Sequence, residues 1–70
     1  MTLLGIEIGG TKRVLAVGDH ISGPTARERR PMRCSGDWEA DLDEIVGEAR
    51  ALLRRAEAAG QGPLEAIGVA

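Results

Sequence analysis

The stretch Leu3–Asp19, LLGIEIGGTKRVLAVGD, sets two short apolar runs on either side of a turn carrying a carboxylate, paired glycines, a hydroxyl and an ammonium. Leu3, Leu4, Ile6 and Ile8 make the first run; Val14, Leu15, Ala16 and Val17 make the second. Apolar runs of strand length separated by a glycine turn predict a β-hairpin. Gly9-Gly10 is an ordinary way to reverse a strand, because glycine reaches positive φ at little steric cost. Taken alone, it would be only a turn. Its neighbours ask for more. Glu7 interrupts an otherwise apolar strand, where an unpaired buried carboxylate would be costly. Thr11 and Lys12 add a hydroxyl and a cation next to backbone that has no Cβ in the way of a bulky anion. Backbone N–H groups in such a turn can converge into an anion-binding concavity, with Lys12 as a point charge for a phosphate. Glu7 is then explained as a magnesium partner, since that cation is held by carboxylate, water and substrate phosphates. The widespread motifs GxxxxGK[ST] and GxGxxG place their glycines before a helix, whereas a second strand follows here.

Read as a whole, GIEIGGTKRVLAVGD, residues 5–19, resembles the opening of the ROK family of sugar kinases, within the superfamily of actin, hexokinase and Hsp70. In that family an acid-x-Gly-Gly-Thr-Lys turn in the first hairpin wraps the ATP phosphates. The resemblance implies phosphate contacts for Gly9, Gly10 and Thr11, a nearby charge from Lys12, and an acidic position near magnesium for Glu7. Most members carry Asp where this chain has Glu7. The fructokinase-like branch is similar to this chain there, and also in the Ala-Val-Gly-Asp close of the second strand, Ala16–Asp19, so the resemblance points to fructose. Glucose or N-acetylmannosamine is the alternative within the family, because the hairpin touches phosphate and not sugar. A non-catalytic regulator or interaction protein is the alternative outside catalysis. The family's repressors carry a helix-turn-helix domain in front; the expectation is that none precedes this first strand.

With 70 residues, the chain is about half a typical domain and would bury only about 60% of its unfolded surface. A single aromatic residue, Trp38, makes for a thin core, and one Cys and one His supply neither a disulfide nor a structural metal. Unpaired Cys34 fits a reducing cytoplasm and is expected to be an inert, partly buried thiol. A net charge of −2 does not draw the chain to nucleic acid or to an anionic membrane. MTLLGIEIGG has no basic region and reaches a carboxylate after few apolar residues, so it reads as neither signal peptide nor membrane span.

His20–Pro24 reads as a turn and Thr25–Arg33 as a third strand of weak apolar content. Arg27, Arg29, Arg30 and Arg33 read as a solvated strand face, since Glu28 interrupts them and no aromatic residue is interleaved. His20 reads as a surface turn residue. From Asp37 onward, Trp38, Leu42, Ile45, Val46, Ala49, Leu52, Leu53 and Ala56 recur at steps of three and four, which predicts a helix with one apolar stripe. Asp37 is its expected N-cap, with acidic residues following at the start, arginines toward the end, Gly60 as a left-handed C-cap and Pro63 as a stop. Trp38 falls on the stripe and is expected to pack rather than to stack on a sugar. LEAIGVA, residues 64–70, is expected to be a buried parallel strand after its crossover helix.

The resulting β-β-β-α-β order matches the ribonuclease H-like half-domain of the superfamily, an α/β fold that is incomplete here. Residues 1–70 are expected to be the N-terminal part of a ROK-type kinase domain, truncated after the fourth strand. The resemblance implies ATP and magnesium as ligands, a sugar substrate and a homo-oligomeric full-length protein. The sugar-activating Asp, the adenosine pocket and the His/Cys zinc cluster of the family have no counterpart in this stretch, so these residues alone are expected to be inactive.

Overall fold

The Leu3–Asp19 stretch folds as the predicted hairpin. In a computed structural model describing residues 2–70, β1 is Thr2–Ile8, β2 Lys12–Asp19, β3 Gly23–Pro31, α1 Trp38–Ala58 and β4 Leu64–Val69. The strands form one mixed sheet in the order β3-β2-β1-β4, with β1, β2 and β3 successively antiparallel and β4 parallel to β1. The chain is thus a small α/β unit with a helix on one sheet face.

Strand alternation sorts the side chains. Leu4 and Ile6 of β1, with Leu15 and Val17 of β2, face the helix and meet Ala49, Leu52 and Ala56. Leu15 is 0% exposed and Leu52 1%, so the core centres on that crossing. Asp37 caps the helix as expected, its side chain accepting from Glu39 N and Ala40 N. At the other end Gly60 adopts φ +86°, Gly60 N donates to Glu57 O at 3.0 Å and Gln61 N to Ala56 O at 3.1 Å. That pair of bonds satisfies the last carbonyls and ends the helix before Pro63.

Four expectations are corrected. Trp38 is 71% exposed and does not pack, and Leu42 of the same stripe is 50% exposed. The helix lies chiefly over β2 and β3, so the Leu42 edge of its stripe overhangs uncovered sheet. For the same reason β4 is parallel but not buried, with all six residues exposed at the sheet edge. The third strand is Gly23–Pro31 rather than Thr25–Arg33, because pairing with β2 sets its limits: Asp19 opposes Gly23 and Lys12 opposes Pro31. Cys34 lies exposed in the loop before α1, not partly buried.

The two sheet edges differ. β3 carries Pro24, Pro31 and a run of charged residues from Arg27 to Arg30, all devices that discourage edge pairing. β4 has no proline, and Glu65 is its one charge.

Candidate functional site

The turn that joins β1 to β2 is short because its own backbone closes it. Gly9 N donates to Lys12 O at 2.8 Å, and Thr11 O accepts from Met32 N at 3.0 Å, which ties the turn to the chain leaving β3. Neither Gly9 nor Gly10 lies at positive φ; that region is occupied by Gly23, Gly36 and Gly60. The conformational reason for a glycine pair therefore does not hold here, and space becomes the relevant property. A Cβ on Gly9 would stand 3.3 Å from Lys12 O, a tight approach, whereas a Cβ on Gly10 would meet nothing within 4 Å.

The structure places Gly9–Thr11 in the turn with Lys12 opening β2, and sets Glu7 apart on β1. Among the described residues the N–H groups of Gly10 and Thr11 have no protein acceptor, and Lys12 has no ion-pair partner. The Gly9 N–H is already used within the turn, so Gly9 can serve an anion only by lacking a side chain. Glu7 pairs across the hairpin with Val14, and Lys12 lies two residues before Val14, so alternation puts both charged side chains on the face away from α1. Glu7 is exposed, so the cost of burying a lone carboxylate, which suggested a cation partner, does not arise. It lines an open concavity of about 470 Å³ with Gly5, Val14, Ala16 and Gly68, which Gly9–Lys12 do not line. No group of three or more His, Cys, Asp or Glu able to hold a metal occurs among the described residues. A single carboxylate fits magnesium carried mainly by phosphate oxygens and water, and fits no protein-caged ion. β4 ends beside the turn: Ile8 N donates to Ala70 O at 3.0 Å.

One residue beneath the turn is not found by the sequence reasoning. Arg13, next to Lys12 but facing the helix, is 3% exposed. Its Nε donates to Glu48 Oε1 at 2.7 Å and Nη2 to Glu48 Oε2 at 2.6 Å and to Glu44 Oε1 at 3.1 Å. Its Nη1 reaches Pro31 O at 3.1 Å and Met32 Sδ at 3.8 Å. The hydrogen bond to Glu48 raises the Arg13 pKa above the ordinary arginine range, and the same bond lowers that of Glu48. The signal was present: Arg13 shares the parity of Leu15 and Val17, and Glu44 and Glu48 are one helical turn apart. At the far end of the hairpin, Asp19 Oδ1 accepts from Ile21 N at 2.8 Å and Ser22 N at 2.6 Å; these backbone bonds hold its pKa low and fix the β2–β3 turn.

The Glu48 shift sets an acid dependence. A carboxylate with a depressed folded-state pKa contributes stability that is present above its ordinary value near 4.5 and disappears as pH falls through the folded value. The raised Arg13 pKa contributes a constant amount throughout that acid range. The melting midpoint should fall as pH drops from about 5 to about 3, while Glu48→Gln should melt lower at neutral pH and lose less on acidification. Circular dichroism melts across that range check this; parallel slopes for the two proteins would rule it out.

No protein-family model matches this chain, and no curated protein and no solved structure is significantly similar to it. No helix among the described residues is long and apolar enough to cross a membrane.

Proposed function

We propose that residues 1–70 form the N-terminal, phosphate-binding portion of an ATP-dependent sugar kinase of ROK type, with a ribonuclease H-like architecture and fructose as the phosphoryl acceptor. The observation that carries this reading is Gly10. Neither backbone dihedrals nor packing within this unit call for a glycine there, and it stands beside two unengaged N–H groups, the Thr11 hydroxyl and the unpaired Lys12 ammonium. A glycine that the fold does not require is accounted for when a ligand approaches the backbone closely, and this donor set suits a polyphosphate. The antiparallel strands followed by a helix and a parallel strand support the architecture.

In this reading the N–H groups of Gly10 and Thr11 and the Lys12 ammonium bear on ATP oxygens. They stabilise charge there, which is most of what phosphoryl transfer asks of a protein. Magnesium, when bound, would neutralise the phosphates, and Glu7, on the same sheet face as Lys12, is the carboxylate this reading assigns to holding it. The unpaired, exposed Cys34 accords with a cytoplasmic enzyme.

Titration with magnesium ATP by calorimetry tests the assignment. Lys12→Ala should weaken binding about tenfold, the loss of one charge-assisted contact. Gly10→Val should abolish binding while leaving the melting midpoint within about 3 °C of wild type, since its Cβ meets open space and surface changes cost little. Equal affinity in all three proteins would reduce the turn to a connector between strands.

A further inference from the structure

We propose that Arg13 is the positioning residue of the turn, locking the Thr11–Lys12 backbone to helix α1 so that its phosphate donors are preorganised; the choice of ligand rests on the reading above. All the donor directions of the guanidinium are engaged, on three different segments: Glu44 and Glu48 of the helix, Pro31 at the end of β3, and the sulfur of Met32. Met32 N in turn donates to Thr11 O at 3.0 Å. A continuous set of contacts therefore runs from the helix through Arg13 to the turn carbonyl. Because side chains alternate along a strand, fixing Arg13 on the helix side fixes the backbone from which Lys12 projects on the other.

Stability alone is a poor reason for this arrangement. Arg13 occupies a strand position equivalent to Leu15 and Val17, where an apolar side chain would complete the core. A buried ion pair is often no more stabilising than well-packed apolar residues of similar volume. What a planar, forked cation supplies that an apolar residue does not is fixed orientation along several directions at once. The consequence is geometric, and it falls on the adjacent turn.

The test compares the whole chain with Arg13→Met and with the paired variant Arg13→Met/Glu48→Leu, in which no buried charge is left unpaired. Amide hydrogen exchange and titration with magnesium tripolyphosphate are the readouts. The single variant strands the Glu48 carboxylate without its partner, so the pair is decisive; it should melt within about 5 °C of wild type. In it, the Gly9 and Met32 amides should exchange about tenfold faster while amides in the middle of α1 keep their protection. Tripolyphosphate affinity should fall about tenfold, matching the loss of preorganisation. Arg13→Lys, which keeps charge without the fork, should shift both readouts in the same direction. Wild-type exchange at Gly9 and Met32 in the paired variant would overturn the proposal, as would unchanged affinity where wild type binds. If wild type does not bind tripolyphosphate, the phosphate reading fails by itself, and the exchange rates alone decide whether Arg13 holds the turn.

Discussion

Leu15→Ala should lower the melting midpoint by on the order of 10 to 40 °C, the translation of a core truncation costing about 2–5 kcal/mol into temperature for a chain of this size. Leu15 is fully buried where β2 crosses α1, between Leu4, Val17 and Leu52. A stability of about 0.05–0.15 kcal/mol per residue gives a chain of 70 residues only about 3.5–10 kcal/mol in total, so one cavity removes a large share. The surrounding core holds no aromatic side chain that could swing in to refill the space. Leu42→Ala is the control. It lies on the same apolar stripe yet is half exposed, and should change stability by only about 0.5 kcal/mol. Thermal melts that rank the two substitutions alike would mean that the helix does not sit on β2 as described.

Gly18→Ala should be the most damaging single-methyl addition. A Cβ built there would stand 2.1 Å from Gly23 O and 2.8 Å from both Gly23 C and Pro24 Cα, all backbone atoms that no rotamer change can move aside. The β2–β3 register shifts between Val17 and Gly18, so glycine marks an irregularity where the two strands approach closely. Relief requires the Asp19-capped turn to open, at a cost of about 1–3 kcal/mol or more. The expected signature is local as well as global. Ile21 and Ser22 amides, which donate to Asp19 Oδ1, should lose exchange protection before amides of α1 do. Retained protection at both positions would show that the strands can separate without disturbing the turn.

Helix α1 was legible from sequence because several independent signals agreed: a three-four apolar spacing, Asp37 ahead of it and Gly60 behind it. The hairpin was equally plain, since paired glycines between branched residues leave few alternatives. Periodicity gives the direction a side chain faces but not how far the opposing surface extends. Trp38 and Leu42 therefore fell on the correct stripe while staying largely exposed, and β4 had the composition of a buried strand without the layer that would bury it. The exposure of Glu7 was hidden for a related reason: an apolar strand at one sheet face still presents alternate residues to water. Arg13 escaped notice because charge in a strand reads as surface. Only its parity with Leu15, together with two acidic residues one turn apart on α1, could have indicated burial.

The unlike borders of the sheet give this architecture a direction of growth. On one side, proline offers no N–H at either end of β3, and the charges between would have to shed water before a neighbour could join. On the other, an unguarded backbone stands ready for a further strand. An added strand would therefore meet less resistance beside Ile67 and Val69 than beside β3. A strand recruited next to Arg29 instead would contradict that polarity.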